Sequence, residues 1–275
     1  MSRYRFALRP RWVLSHLFVL ALAAGMITAG LWQLSRLQEK KDRNAVVRDR
    51  TAEPMVPVTD LAAPGDEDGA DAIEYRRVEA SGAYLADDEV LVRSRSNGGS
   101  PGSWVLTPLD LGDGTAVVVN RGWIPNSGQH EAVPERYRAP DGEVAVTGLV
   151  RAPETRGRLG PRDPDAGRLT SLARADVARL DQQVDADLLP LYVQMTSQEP
   201  PVASGGPRPV PAPELDEGPH LSYAIQWFIF ASIALVGYPL ILRRRARELE
   251  VEARDEPAPG DPRLDPLPGH RDPVT

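Results

Sequence analysis

Cysteine is absent from the 275-residue sequence, and histidine and methionine each occur only four times. Without cysteine the chain has no disulfide bond, thiolate nucleophile, c-type haem attachment site, iron–sulfur cluster or thiolate site for zinc or copper. The methionines are not clustered, so a methionine-rich copper site is not expected either. The chain must therefore fold without covalent cross-links and bind any ligand through other side chains.

Sequence motifs of common enzyme classes are also missing. There is no GxSxG, no Walker loop and no dinucleotide fingerprint. HEAVP begins like a zinc-protease motif, but Pro134 stands where the second histidine would be, so His130 is interpreted as a solvated loop residue. The net charge is −7 and the arginines cluster beside apolar segments. We therefore predict neither an enzyme nor a nucleic-acid partner.

Two long apolar segments lie near the ends of the chain, at residues 12–35 and residues 220–242. Each is as long as the ~20 apolar residues that a helix needs to cross a bilayer. A cleaved signal peptide is the alternative for the first segment. Its apolar run continues past the small residues at 21–23 to Leu34, which favours an uncleaved anchor. Both segments are therefore predicted to be transmembrane helices.

Basic residues flank these segments asymmetrically. Four arginines precede the first segment with no acidic residue among them, and four follow the second, which acidic residues precede. Because basic flanks stay in the cytoplasm, we predict a multi-pass protein of the cell membrane with residues 1–11 and 243–275 inside and the intervening chain outside. The eight arginines are Arg3, Arg5, Arg9, Arg11, Arg243, Arg244, Arg245 and Arg247.

In residues 36–196 apolar and polar side chains alternate mostly with period two, which is typical of half-buried strands. RRVEASGAYL and EVLVRSR predict one hairpin, and SWVLTPLDLGDGTAVVVNRGWIP predicts another that turns at Asp113 and Gly114. Pro108 cannot donate a ladder hydrogen bond, so its strand should be an edge strand or bulged there. EVAVTGLV and LYVQM are two further strands. The predicted fold class is α+β: two transmembrane helices flank an outer, mainly antiparallel β domain, either a sheet or a small open barrel.

One helix is predicted in the outer domain. In TSLARADVARLDQQV the apolar residues recur at helical spacing behind a cap at Thr170 or Ser171. Residues 61–72 and the stretch RGRLGPRDPDAGR are predicted loops, and the proline-rich residues 197–219 form a semi-extended spacer. The C-terminal tail is predicted to be largely disordered after a short helical extension past Glu248.

The block VVVNRGWIP combines a valine strand with Arg121, Gly122 and Trp123. A structural interpretation is sufficient: glycine re-aims the backbone, tryptophan covers the end of the sheet and proline ends pairing. A functional interpretation makes Arg121 a binder of carboxylates and Trp123 a planar contact for a ligand or partner protein. Both residues are kept as candidate cofactor contacts.

Several blocks occur in the order found in one known family: LWQLSRLQEK, EYRRVEASGAYL, GSWVLTPLDLGDGTAVVVNRGWIP, VTGLVRAPE, LYVQ and HLSYAIQWFIFA. Together they resemble the Surfeit-locus cytochrome c oxidase assembly family. The resemblance implies two spans around an outer domain and a role in maturing an aa3-type haem-copper oxidase. It also implies transient binding of haem a, with His220 as the iron ligand. The implied partners are oxidase subunits, the haem a synthesis machinery and membrane lipid.

On a helix, His220, Tyr223 and Trp227 share one face. Without the resemblance they would be an ordinary interfacial belt with a solvated histidine. With it, the imidazole binds iron, the two aromatic rings flank the macrocycle, and Gln226 anchors a polar substituent or a facing helix. His16 lies near the cytoplasmic side, too far from His220 to share an iron, so we expect one protein histidine per haem.

Two other functions remain open at this point. The chain is alternatively a cofactor-free membrane chaperone that stabilises an oxidase subunit. A membrane-anchored hydrolase is a further alternative, which the missing motifs disfavour.

Overall fold

The computed structural model describes residues 4–65, 69–126, 131–158 and 160–255. The chain divides into two units, each described on its own. The helical unit comprises Met1–Asp42 and Asp216–Thr275, and the sheet unit comprises Arg43–Leu215. The position predicted for His130 and most of the predicted disordered tail lie outside the described residues.

Two long helices dominate the helical unit. Helix α1 runs from Pro10 to Ala52, and its last residues belong to the sheet unit; helix α4 runs from His220 to Asp255. Both are long and apolar enough to cross a membrane, judged by length and composition. They extend beyond the predicted spans because the charged residues that follow each apolar run are good helix formers. The helical extension predicted after Glu248 is confirmed as far as Asp255.

Small residues allow α1 and α4 to pack closely within the helical unit. Ala23, Ala224 and Ala231 are buried. A Cβ on Gly30 would lie 2.8 Å from the ring of Phe228, so a larger residue at position 30 would force this ring to move. Contacts between small residues and a large neighbour are a common way for apolar helices to associate where no water drives them together.

The sheet unit contains one eight-stranded sheet. Its strand order is β1-β2-β6-β8-β5-β4-β3-β7, and an additional β2–β4 pairing joins strands β2, β6, β8, β5 and β4 into a ring. The strands are β1 (Val56–Pro57), β2 (Arg77–Tyr84), β3 (Val90–Asn97), β4 (Ser100–Asp110), β5 (Thr115–Pro125), β6 (Glu143–Arg151), β7 (Ser171–Leu172) and β8 (Asp187–Glu199).

Most strand pairs are antiparallel, and β1–β2, β3–β7 and β5–β8 are parallel. The predicted α+β class, with two apolar helices flanking a mainly antiparallel β domain in the sequence, is confirmed. The ring accounts for the continuous apolar run in β5, because both faces of this strand are covered. Val117 and Val119 belong to one buried cluster and Val118 belongs to the other.

The β4–β5 hairpin and strands β6 and β8 are confirmed, but the hairpin predicted from RRVEASGAYL and EVLVRSR is wrong. Strand β2 pairs with β6 along its length and with the end of β4, whereas β3 pairs with β4. The chain turns away after β2 because the Leu85 amide donates to the Pro108 carbonyl and residues 86–88 form a 3-10 turn. Tyr84 therefore pairs with Leu109 and has no partner in β3.

The expectation that Pro108 marks an edge strand is also wrong. Strand β4 lies between β3 and β5. Pro108 is tolerated because the last β3 partner in β4 is Leu106, so no strand on that side needs a hydrogen bond from residue 108. The register shift of the β4–β5 pair lies between Val105 and Leu106, two residues before the proline.

The helix predicted over TSLARADVARLDQQV is wrong in its first half. Ser171 and Leu172 form β7 beside β3, and the cap is Asp176, whose side chain accepts the amide of Arg179. Helix α3 is only Val177–Asp181. A second short helix, α2 at Ala70–Ile73, lies partly inside the segment predicted as a loop at 61–72.

The proline-rich segment does not simply extend away from the sheet. Strand β8 continues to Glu199, and residues 200–215, here called the strap, return along the sheet unit. The Trp123 amide donates to the Arg208 carbonyl at 2.7 Å, and the Arg208 amide donates to the Trp123 carbonyl at 2.8 Å. Gln194 Nε2 donates to the carbonyl of Pro211 at 3.0 Å. Asn44 Nδ2 donates to the Leu215 carbonyl at 2.9 Å, so the strap is held at several points.

Candidate functional site

His220 is the first residue of helix α4, and a short turn sets its position. The Gly218 amide donates to the Asp216 carboxylate at 3.0 Å, and Gly218 has φ +71, a value that favours glycine. The Tyr223 amide then donates to the Pro219 carbonyl at 3.1 Å and closes the first helical turn. The imidazole is thus fixed where the apolar run begins.

The side chain of Gln33 determines how His220 presents its nitrogens. Gln33 Oε1 lies 2.8 Å from His220 Nδ1. An amide oxygen can only accept, so Nδ1 carries the proton and Nε2 keeps its lone pair. Metal-binding histidines typically have this arrangement, in which a hydrogen bond at one nitrogen orients the ring and the other nitrogen is a ligand.

The other ring nitrogen of His220, Nε2, has no hydrogen-bond partner among the described residues. A Cβ placed on Gly218 would lie 3.5 Å from it, which is an ordinary contact distance, so the glycine is required by its positive φ and not by the space beside the imidazole. His220 itself is half-buried.

Tyr223 and Trp227 follow His220 at the predicted spacing, but their exposure differs. Tyr223 is 48% exposed, whereas Trp227 is half-buried and packs edge-to-face on Phe230 with ring centroids 6.2 Å apart. Gln226 is exposed. Near the start of α4 the polar contact with the facing helix is made by Gln33 of α1, and not by Gln226, for which a facing helix was one of the two predicted partners.

His16 has a different environment from His220. Its Nε2 lies 3.1 Å from the Ala7 carbonyl and must donate to it, so Nδ1 is the acceptor. Nδ1 lies 2.6 Å from the hydroxyl of Tyr238, which also contacts Ser15 Oγ at 2.9 Å. Both ring nitrogens of His16 are occupied, and a metal could bind there only after a hydrogen bond is broken.

In the sheet unit, Arg121 occupies a bulge of β5. Val105 pairs with Gly122 and Leu106 pairs with Asn120, so Arg121 is the extra residue. The Asn120 side chain accepts the Gly122 amide at 3.1 Å and stabilises this bulge. The bulge turns the arginine side chain inward, where it is 3% exposed.

Internal partners hold the guanidinium of Arg121. Nη1 donates to the Tyr137 carbonyl at 2.9 Å and to Glu89 Oε2 at 3.3 Å, and Nη2 donates to the Arg138 carbonyl at 3.0 Å. The guanidinium also lies 5.2 Å from the ring centroid of Tyr84. These partners occupy both terminal nitrogens of the guanidinium, and Nε is buried without a hydrogen-bond partner, so an exposed ligand carboxylate has no access to this side chain.

Burial controls the titration of this cluster. Desolvation raises the pKa of Glu89 above its ordinary value, and the positive charge of Arg121 opposes that rise. Desolvation likewise lowers the pKa of Arg121, against the effect of Tyr84 and Glu89. The pKa of Tyr84 is raised for the same reason. The cluster is therefore a buried charge pair inside the domain, where charges are costly unless they are paired.

Trp123 is 1% exposed, and its indole nitrogen donates to the Arg95 carbonyl at 3.1 Å. The guanidinium of Arg208 in the strap lies 5.6 Å from its ring centroid. The burial of Trp123 and Arg121 favours the structural interpretation of the VVVNRGWIP block. Of the five predicted residues, His220, Tyr223 and Trp227 belong to the helical unit, and Arg121 and Trp123 belong to the sheet unit.

Sequence reasoning did not single out Gln33, although a signal was present. It is the only side-chain amide in residues 12–35, and such a polar group in a membrane segment usually has a partner.

In the described ranges no three histidine, cysteine, aspartate or glutamate side chains are grouped to hold a metal ion. A metal at His220 would have to bring its other ligands with it, as the iron of a porphyrin does.

In sequence order, the chain has an apolar helix, a ring-closed β domain and a second apolar helix that begins at a histidine with a fixed hydrogen-bond partner. This combination defines the class of the protein. The SURF1 family model matches residues 20–232, and the chain belongs to the SURF1 family. An uncharacterised SURF1-like protein of Mycobacterium bovis is 32% identical over 268 residues, which cover 95% of this chain and 94% of that protein.

Two relatives have more informative names. Surfeit locus protein 1 of Takifugu rubripes is 27% identical over 228 residues, covering 77% of this chain and 90% of that protein. Cytochrome oxidase assembly protein SHY1 of Saccharomyces cerevisiae is 30% identical over 148 residues, covering 50% of this chain and 36% of that protein.

Proposed function

We propose that this protein is an assembly factor for an aa3-type haem-copper cytochrome c oxidase, and that it binds haem a through His220 at the outer edge of the cell membrane. Membership of the SURF1 family and the name of the yeast relative support the assembly role. In this role the protein contacts oxidase subunits and passes them a cargo, and it is not an enzyme.

The observation that carries the haem proposal is the difference between the two described histidines of the helical unit. Gln33 accepts the proton of His220 Nδ1 and leaves Nε2 as the lone-pair nitrogen, which has no hydrogen-bond partner among the described residues. His16 has hydrogen-bond partners at both nitrogens. Of these two described histidines, His220 alone can bind a metal without losing a hydrogen bond.

The residues around His220 fit haem a as a cargo. A porphyrin supplies four equatorial nitrogens, so one imidazole is enough to attach it. The half-exposed ring of Tyr223 and the indole of Trp227 offer aromatic surface near the same end of α4. Attachment by a single histidine suits a carrier, because release requires the loss of one protein bond only.

The orientation of the chain follows from the basic residues at its helix ends. Residues 1–11 and 243–275 lie in the cytoplasm under this proposal, and the sheet unit lies outside. His220, which follows Asp216 and Glu217, is then at the outer surface, and Arg243, which follows the apolar run, is at the inner surface.

An absorption spectrum tests the haem proposal. We expect the detergent-purified protein to show a Soret band when it is made in cells that synthesise haem a. His220→Ala should remove or strongly shift this band while the protein stays in the membrane, and His16→Ala should leave the band unchanged. An unaltered Soret band and equal haem content in the His220 variant would refute the ligand assignment. A purified wild-type protein without haem would favour the cofactor-free chaperone instead.

A deletion strain tests the assembly role separately. Loss of this protein should lower the amount or the haem content of an aa3-type oxidase and leave other membrane complexes intact. Unchanged oxidase activity and oxidase spectrum in the deletion strain would rule out the assembly role, whatever the purified protein binds.

A further inference from the structure

A pair of arginines just past the apolar run of α4 has no side-chain partner among the residues that the structure describes. Arg243, Arg244, Arg245 and Arg247 follow Leu242 directly, and the helix continues through them to Asp255. Arg244 Nε lies 3.0 Å from Glu248, and Arg245 Nη1 lies 3.2 Å from Glu248 and 3.5 Å from Glu252. Within the described part of the chain, the side chains of Arg243 and Arg247 make no hydrogen bond or ion pair.

The two unpaired arginines lie on one face of α4. Residues four apart in a helix are neighbours, with Cβ atoms ~6 Å apart. Together with Leu240, Arg244 and Val251 they line a groove along this face, and its remaining lining residues are Glu248 and Glu252, whose carboxylates are already paired with Arg244 and Arg245. Leu240 is 54% exposed and lies on the side of the apolar run. The groove thus joins apolar surface to two free guanidinium groups.

The facing helix brings more positive charge to the same end of the helical unit. The contact between His16 and Tyr238 shows that these two residues lie at the same height along the two antiparallel helices. Arg11 precedes His16 by five residues and Arg243 follows Tyr238 by five, so both lie about 7.5 Å beyond that contact in the same direction. Arg11 likewise has no side-chain partner among the described residues. At the other end, by contrast, Arg36 is paired with Glu39 and Lys41 with Glu217.

We propose that Arg243 and Arg247 bind the phosphodiester headgroup of an anionic phospholipid. Guanidinium groups bind phosphate through paired hydrogen bonds, and helix neighbours can hold one phosphate between them. The position of Arg243 and Arg247 at the end of the apolar run of α4 points to a lipid as the source of the phosphate. Arg243 comes directly after an apolar helix long enough to cross the bilayer, and the exposed Leu240 on the same face contacts the acyl chains of the lipid.

The test uses the full-length protein in neutral detergent, titrated with phosphatidylglycerol, and measures bound lipid by native mass spectrometry and the thermal midpoint. We expect wild type to retain phosphatidylglycerol in preference to phosphatidylcholine and to gain thermal stability from it. The double variant Arg243→Gln with Arg247→Gln should lose about tenfold to thirtyfold in apparent affinity, from the known effect of each basic residue at a lipid surface.

The matched control is the double variant Arg156→Gln with Arg158→Gln. It removes the same charge from two exposed arginines of the sheet unit that do not line the groove, and its lipid affinity should stay within about threefold of wild type. Equal losses in both double variants would reduce the effect to net charge and overturn the site. Equal retention in both would overturn it as well. Stabilisation by inorganic phosphate alone, as strong as by the lipid, would overturn the assignment to a headgroup.

Discussion

At the scale of single residues, Arg121 illustrates how context decides the role of a charged side chain. The sequence places it at the end of a valine strand, where an exposed binder of carboxylates is a reasonable expectation. The bulge in β5 instead turns it into the domain, against Glu89 and two backbone carbonyls. Because the pair is buried, the removal of one partner alone has a cost that it would not have in an exposed ion pair.

Replacing Arg121 with methionine should therefore destabilise the protein. The expected loss is about 3–5 kcal/mol of unfolding free energy, since the buried charge of Glu89 would lose its closest cationic partner and keep only Arg138 at 3.9 Å. Thermal and chemical unfolding of the detergent-purified protein measure this loss. Adding Glu89→Leu should recover part of it, because the double variant no longer buries the carboxylate that Arg121 neutralises. A single variant as stable as wild type would contradict the buried-pair interpretation.

The pH dependence of stability should carry the signature of Glu89. Burial raises the pKa of this carboxyl above its ordinary 4.5, so the folded protein binds its proton more tightly than the unfolded chain. Its contribution to stability is then fully present below pH 4.5 and is lost as the pH rises through the raised value. Compared with Glu89→Gln, which cannot titrate, wild type should lose thermal stability as the pH increases from the acid side. A constant difference between the two midpoints would show that the pKa is not raised.

The pairing of Gln33 with His220 could not be predicted from the sequence. The two residues are 187 positions apart, and helical spacing relates only residues on the same helix. The sequence identified His220, Tyr223 and Trp227 as neighbours for that local reason. It assigned the polar contact to Gln226, which is close in sequence, because the register between α1 and α4 depends on the packing of Gly30 and the buried alanines.

At the scale of elements, the β5 bulge and the strap depend on each other at Gly122. This residue has φ +136, and a Cβ there would lie 2.4 Å from the Arg208 carbonyl oxygen. Gly122→Ala should therefore displace the strap and cost about 1–3 kcal/mol. Limited proteolysis should then cut residues 200–215 more rapidly than in wild type.

Gly114→Ala is the matched control for this substitution. Gly114 also has positive φ, +85, but no atom lies within 4 Å of its added Cβ. It should lose stability from backbone strain alone and leave the strap as resistant to protease as in wild type. Equal cleavage of the strap in both variants would mean that the contact at Arg208 does not hold it.

Local patterns identified most strands correctly, but they did not identify all strand partners. The β4–β5 hairpin could be predicted because Asp113 and Gly114 form a short turn between two apolar strands. The partner of β2 could not, because β6 lies some 60 residues further along the chain and only packing in the ring selects it. Contacts with a distant part of the chain also explain why Ser171 and Leu172 are not helical as predicted. Their pairing with β3 outweighs the local preference of this segment for a helix.

At the scale of the whole molecule, the absence of cysteine makes the proposed orientation simple to test. A cysteine introduced at the exposed Ser96 should react with a membrane-impermeant thiol reagent in intact cells, and one at Thr275 should react only after lysis. The reason is that, in the proposed orientation, the basic residues beside the two apolar helices retain both ends of the chain in the cytoplasm. Labelling of residue 275 but not of residue 96 in intact cells would reverse the orientation.

The position of β8 in the ring also determines when the domain can become complete during synthesis. This strand closes the gap between β5 and β6, yet it is the last strand to leave the ribosome. A nascent chain that ends before residue 187 has two open strand edges, and such edges bind other chains readily. The ring has many contacts between distant parts of the chain, and these form slowly. The partly made domain therefore keeps these two edges exposed until β8, which ends at Glu199, has been made.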